Sequence, residues 1–210
     1  MLRSMTVDDD YFHRRALRNT CIQRSPLDDF FPQASEIIPG LFVSDLYTAT
    51  SPAVIQQLGI THVLSVMRRP SYRYPRSIEH LCVPVDDRTD DNLLDYLDHA
   101  IRWIRDALAR PDGRVLVHCV WGMSRSASVA VAFLIVARGM ALDEALCVVR
   151  ARRRVARPNP GFVAQLRVYE RVTRLREAQE RRVREQAAER RGADLDLDAL
   201  ARRVGVPVLS

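Results

Sequence analysis

Lysine is absent from this sequence, so all 32 basic residues are arginine, set against 26 acidic ones. The resulting net charge of +6 comes from arginines that alternate with acids along much of the chain. Charge of that kind reports on steering and non-specific binding, and nucleic acid is not expected as a partner. Only Arg150 to Arg157, with five arginines, is dense enough to read two ways, as an attractor for an anionic substrate or as a solvated helix end. Cysteine is scarce too: Cys21, Cys82, Cys119 and Cys147 lie far apart with no CxxC pair. That argues against a disulfide framework or a zinc site, and for reduced thiols in a cytoplasmic or nuclear setting. No secretory signal is read, since Met1 to Asp10 is polar and acidic and no apolar core follows. Long apolar runs are missing. The longest, Ala127 to Ala137, interrupted only by Ser128, covers 11 residues, where a bilayer needs about 20. It reads as a buried core helix, and no membrane span is expected.

What is present is an ordinary apolar share, 47%, in a chain of 210 residues, enough for one domain with a terminal segment to spare. Residues 1–35 carry mixed charge and little periodicity, and read as a mobile arm with at most a short helix near Tyr11 to Arg18. Pro39-Gly40 is a turn, followed by a strand at Leu41 to Val43. Ser51-Pro52 opens a helix that Gly59 ends. Strands are expected at Thr61 to Val66, Leu81 to Val85 and Val115 to Val117, the last wholly apolar, as inside a sheet covered on both faces. Helical spacing of Leu93, Leu94, Leu97, Ile101, Ile104 and Leu108 predicts a helix over Asn92 to Ala109, with Asp90 and Asp91 capping it. Further helices are expected from Arg125 to Ala137, from Leu142 to Arg152, and from Phe162 onward. Asn159 and Pro160 stand as N-cap and first residue of that last helix, which should bury Leu166, Tyr169, Val172 and Leu175. Residues 177–210 read as a charged, solvated helical extension. Alternating strands and helices imply an α/β fold, a mostly parallel central sheet of about five strands flanked by helices.

The chemistry is concentrated in Val115-Leu116-Val117-His118-Cys119-Val120-Trp121-Gly122-Met123-Ser124-Arg125-Ser126. A buried strand ends, a short loop turns, and an apolar helix begins; in an open α/β sheet such strand ends are where ligands bind. The helix N-terminus offers unpaired N–H groups and a positive dipole end, and Gly122 lets successive amides curl inward as an anion nest. A cysteine at the floor of that nest gains a stabilised thiolate. Arg125, six residues later, can clamp two oxygens of the same oxyanion. An ionised nucleophile plus donors matched to transition-state oxygens is what phosphoryl transfer to sulfur needs. The competing reading of Cys119 as a small packing residue does not account for the neighbours that accompany it.

This loop is similar to the HCxxGxxR signature, followed by Ser or Thr, of the cysteine-based protein tyrosine phosphatase superfamily, and resembles its dual-specificity branch in ending Ser124-Arg125-Ser126. The resemblance runs over residues 36–176 and includes Ile38-Pro39-Gly40-Leu41-Phe42-Val43, Gly59-Ile60-Thr61-His62-Val63-Leu64 and Arg157-Pro158-Asn159-Pro160-Gly161-Phe162. It implies that Cys119 is the nucleophile, and that Arg125 with the backbone amides of Val120, Trp121, Gly122, Met123 and Ser124 holds phosphate. Ser126 is then expected to assist sulfur as it leaves, and His118 to orient the loop. The general acid is expected at Asp87, with Asp86 as the alternative. Asn159 is expected either to brace the loop or simply to cap its helix. Cys82 is open to a redox pairing with Cys119 or to plain packing. Arg68, Arg69, Tyr72 and Tyr74 lie on a loop that either borders the pocket or is solvated.

No metal or cofactor is implied. Uncharged Val120, Trp121 and Met123 differ from the lysine-bearing loops of phosphoinositide phosphatases, and Ser124-Arg125-Ser126 differs from the Asn-Arg-Thr of RNA 5′-triphosphatase relatives. Phosphorylated proteins are therefore the expected substrates. The alternatives are a lipid or RNA phosphate ester, or a silent phosphoprotein-binding module. A monomer is expected, with a dimer through the C-terminal helix as the other possibility.

Overall fold

The computed structural model describes residues 33–70 and 72–204, with side chains up to residue 188; the helix expected near Tyr11 to Arg18 lies outside them. Five strands, β1 (Ser35–Ile38), β2 (Leu41–Ser44), β3 (His62–Val66), β4 (Glu79–Val83) and β5 (Val115–His118), form one sheet in the order β1-β2-β5-β3-β4. All neighbours pair in parallel except β1 and β2, which pair antiparallel. Every residue of β2, β3 and β5 is buried, which is why these strands read as near-continuous apolar runs. Six helices are described: α1 (Leu46–Ala49), α2 (Pro52–Gln57), α3 (Leu94–Leu108), α4 (Arg125–Arg138), α5 (Leu142–Arg152) and α6 (Pro160–Val204).

Strand alternation divides the core. Phe42, Leu116 and Val63 are register partners on one face and pack with Ala49 of α1 and with Ile55 and Leu58 at α2. The neighbouring residues point to the opposite face, where α3 and α4 lie against the sheet. Helix α4 is buried on every side from Arg125 to Ile135, so its sequence shows no polar stripe. Helix α3 is amphipathic and buries Leu97, Ala100, Ile101, Ile104 and Ala107. Among the described residues no helix is long and apolar enough to cross a membrane.

Several details differ from the sequence reading. Helix α1 was not expected; it is a single turn capped by Asp45, whose Oδ1 accepts from Thr48 N at 2.8 Å. Strand β1 was not expected; its only buried residue is Ile37, too little pattern to announce a strand. Strand β4 spans Glu79–Val83, two residues earlier than expected, because Pro84 has no N–H for the ladder. The start of α3 is capped not by Asp90 or Asp91 but by Gln165 of α6, whose Oε1 accepts from Leu93 N at 2.8 Å and Leu94 N at 2.9 Å. Asp90 instead pairs with Arg88. Lastly, Leu175 is 66% exposed and Val172 only half-buried, although Leu166 and Tyr169 are buried as expected. At about 100° per residue, Phe162, Leu166 and Tyr169 share one face of α6 and Leu175 falls roughly 140° away.

The chain divides into two compact units at Arg167/Val168. The second unit is the rest of α6, a helix with i,i+4 ion pairs Glu170–Arg174 and Glu180–Arg184.

Candidate active site

Strand β5 is the centre of the sheet and feeds directly into the loop 119–124 and then α4. Cys119 is buried, and its Sγ accepts from Gly122 N at 3.2 Å and from Ser126 Oγ at 3.2 Å. Burial pushes the thiol up, but the Arg125 charge and the hydroxyl and N–H of Ser126 outweigh it; the net shift is downward, against a smaller opposing push from Asp87. The sulfur therefore ionises more readily than a free thiol.

The orientation of the loop amides follows from where the carbonyls go. Val120 O accepts from Leu46 N at 3.2 Å, Trp121 O from Arg153 Nη2 at 3.5 Å, Gly122 O from Arg153 Nε at 2.6 Å and Met123 O from Arg157 N at 2.7 Å. Ser124 O accepts from Ser128 N and Oγ, both at 2.8 Å. Five consecutive carbonyls are thus held by groups outside the loop. Among the described residues no peptide bond is cis, and across a trans peptide the next N–H points opposite to the carbonyl. The amides of Trp121, Gly122, Met123, Ser124 and Arg125 are therefore turned away from those outer partners, and that of Gly122 reaches Sγ. Gly122 has φ +63°, and a Cβ there would lie 2.5 Å from Ser44 O and 2.4 Å from Arg153 Nη2. Only glycine suits both the conformation and the gap.

Arg125 is buried, with Nη1 donating to Val85 O at 3.3 Å and Nε having no protein acceptor. A buried guanidinium N–H without a partner is costly unless an anion takes it. The two aspartates separate clearly. Asp87 Oδ1 accepts from Ser124 Oγ at 2.6 Å and Asn159 Nδ2 at 2.9 Å, and Asn159 N donates to Ser124 Oγ at 3.1 Å. Asp86 turns away to Arg68 Nε at 2.7 Å and is half exposed. Asn159 also caps α6 through Phe162 N at 2.9 Å, so bracing and capping are both true of it. The close approach of the acid loop to α6 depends on Gly161, where a Cβ would lie 2.0 Å from Thr89 O.

Comparison with known proteins agrees with this geometry. Residues 41–172 match the model of the dual specificity phosphatase catalytic domain. The chain belongs to the dual specificity phosphatase family. It is 39% identical over 136 residues to dual specificity protein phosphatase 1B of Arabidopsis thaliana, 65% of this chain and 81% of that protein. It is 40% identical over 140 residues to dual specificity protein phosphatase 13B of Homo sapiens, 63% of this chain and 70% of that protein. Among solved structures, a mouse putative dual specificity phosphatase complexed with zinc tungstate superposes with a TM-score of 0.67 at 33% identity, covering 70% of this chain and 92% of that one. Human DUSP28 gives 0.65 at 32%, covering 69% and 97%.

In this dual specificity phosphatase His118 is held neutral: burial keeps its imidazole well below the usual value, at about 4. Its Nε2 meets Ser65 Oγ at 2.6 Å and Tyr74 OH at 3.2 Å, and Ser65 Oγ also meets His80 Nε2 at 2.8 Å. Of the loop residues expected at the pocket border, Tyr74 thus joins the group behind the nucleophile and Tyr72 packs edge-on against Tyr74. Arg68 is committed to Asp86 and Asp91, and Arg69 is exposed. Cys82 donates to Met67 O at 3.3 Å. It pairs with Ser65 on β3, which in turn pairs with His118 on β5. Two strand spacings, roughly 10 Å, exceed the reach of a disulfide, so this geometry leaves Cys82 a packing residue.

Sequence reasoning missed Ser65, the contact of Ser124 with Asp87, and Arg153. A serine inside an apolar strand was the one available hint, for Ser65. Nothing set Arg153 apart from the arginines around it.

Proposed function

We propose that this dual specificity phosphatase hydrolyses phosphotyrosine and phosphoserine or phosphothreonine in proteins by passing the phosphoryl group through Cys119. The observation that carries this reading is the lowered thiol beneath amides whose carbonyls are all engaged outside the loop. Cys119 Sγ attacks phosphorus while the ester P–O bond breaks, and Asp87 gives its proton to the leaving oxygen. A water then attacks phosphorus, its proton goes to the Asp87 carboxylate, and the P–S bond breaks to return the thiolate. Ser126 Oγ, already a donor to Sγ, stabilises the departing sulfur. Arg125 and the loop amides hold the three equatorial oxygens, where preorganised donors act with the greatest effect. His118, neutral and tied to Ser65, orients the loop and takes no proton. Asn159 and Ser124 hold Asp87 towards the loop.

The working domain in this reading is residues 36–176, with the charged residues 177–210 as an extension that is helical as far as Val204. A reduced thiol of this kind suits a cytoplasmic or nuclear compartment, which localisation of a tagged chain tests. Hydrolysis of an aryl phosphate by wild type against Cys119→Ser tests the chemistry: wild type turns over and the variant does not. Equal, residual rates would leave a phosphoprotein-binding module instead. A phosphopeptide panel with the active enzyme tests the substrate class, and a strong preference for a lipid or RNA phosphate would overturn it.

A further inference from the structure

The run Arg150 to Arg157 invites the reading of an anion attractor, but one member does something else. Arg153 directly follows α5, with its backbone N on Val149 O at 2.8 Å, and its side chain turns inward until the residue is only 5% exposed. Its guanidinium reaches two separate places. Nε and Nη2 take the Gly122 and Trp121 carbonyls, while Nη1 lies 3.4 Å from Gln33 O and 3.3 Å from Ser35 Oγ on β1.

We propose that Arg153 is a positioning residue for the phosphatase reaction, fixing from outside the two peptide planes whose amides, Gly122 N and Met123 N, serve the sulfur and the phosphoryl oxygens. The proposal rests on the phosphatase reading above. Trp121 O and Gly122 N–H belong to one rigid plane, and Gly122 O and Met123 N–H to the next. Holding both carbonyls therefore aims both amides, and Gly122 N–H is the one already on Sγ at 3.2 Å. A planar guanidinium with donors in a fixed fork can hold two planes at once, which a lysine ammonium does less well. The missing Cβ at Gly122 leaves the room that Nη2 occupies.

The far end of the fork extends the site's support beyond the residues that match the family model. Gln33 and Ser35 precede residue 41, where that match begins. Gln33 N is in turn fixed on Thr48 Oγ1 at 2.8 Å, and the neighbouring Leu46 N holds Val120 O. The start of β1, α1 and Arg153 together make an outer wall for the loop.

Arg153→Lys, Arg153→Met and Ser35→Ala test this, each checked for folding by thermal melting. Two readouts are taken: kcat and KM on an aryl phosphate, and the pH dependence of Cys119 alkylation by iodoacetamide, located by mass spectrometry. A misaimed catalytic group costs up to about a hundredfold for 1 Å, so kcat is expected to fall about tenfold or more in the Met variant and less in the Lys variant. Alkylation on the acid side of its pH curve should fall several-fold in the same order, as thiolate is lost. Ser35→Ala should show the same signs at smaller size. If the Met variant does not fold, Lys decides; if neither folds, Ser35→Ala decides. A folded variant with wild-type kcat and wild-type alkylation, losing only melting temperature or KM, overturns the proposal and leaves Arg153 a structural residue. Alkylation reads the sulfur without turnover, so a wild type that fails to hydrolyse aryl phosphate sinks the phosphatase reading separately.

Discussion

Replacing Asp87 by Asn separates the acid from its neighbour and from its scaffold. Asn is nearly the same shape, and its carbonyl oxygen can still accept from Ser124 Oγ and Asn159 Nδ2, which now meet Asp87 Oδ1 at 2.6 and 2.9 Å. Stability should therefore change by less than about 1 kcal/mol, the net size of one ordinary hydrogen bond. What the variant loses is the proton. A positioned general acid contributes about 10²–10⁴ in rate, or roughly 2.7–5.4 kcal/mol of barrier. The loss should depend on how much help the leaving group needs. With phenyl phosphate, whose leaving oxygen is basic, kcat/KM, which reports the first step, falls by the full factor; with a dinitrophenyl phosphate it falls far less. The same replacement at Asp86 removes one ion pair to Arg68, both partners about half exposed, and a solvent-screened pair of that kind contributes little to stability. Arg68 keeps Asp91, and kcat should stay within about twofold. Steady-state kinetics of both variants on both esters decides the matter. An Asp87→Asn enzyme with full phenyl phosphate turnover, beside an Asp86→Asn enzyme without it, would refute the assignment.

Gly122→Ala should abolish measurable turnover while the chain still folds, because a Cβ would lie 2.5 Å from Ser44 O and the loop must move; circular dichroism with an aryl phosphate assay checks both. His118, whose imidazole is held at about 4 against about 6.5 when unfolded, binds its proton only in the unfolded chain between those values. Stability is then lost as pH falls through that window, by about 1.4 kcal/mol per unit from this residue; His118→Asn should flatten the urea-melting profile there by that slope. Gln165→Ala strands the N–H groups of Leu93 and Leu94 and the carbonyl of Asp91. It should cost about 1–3 kcal/mol in a thermal melt and leave kcat nearly unchanged.

The parts of this molecule that were legible in its sequence are those with local causes. The buried strands His62–Val66 and Val115–His118 carry apolar runs, and the loop from Cys119 to Arg125 carries its glycine and arginine at fixed spacing. The choice of Asp87 over Asp86 came from resemblance, and the structure gives it a physical basis in Ser124 and Asn159, residues 37 and 72 positions away. What was not legible is what depends on distant partners. Gln165 caps a helix more than 70 residues away, so no spacing rule could have replaced Asp90 and Asp91 with it. Arg153 looks like its neighbours until the fold brings Gly122 against it. Strand β1 forms because β2 offers an edge, and Leu175 is exposed because three buried residues had already fixed the inward face of α6.

The most direct test of the account is to mix the enzyme with an aryl phosphate, quench in acid within milliseconds, and map the bound phosphate by mass spectrometry. Phosphate on Cys119, absent in Cys119→Ser and, with a dinitrophenyl phosphate whose leaving oxygen needs little help, increased in Asp87→Asn where the second step loses its base, is the predicted result. Turnover with no phosphate ever found on Cys119, or with phosphate on another residue, would contradict it.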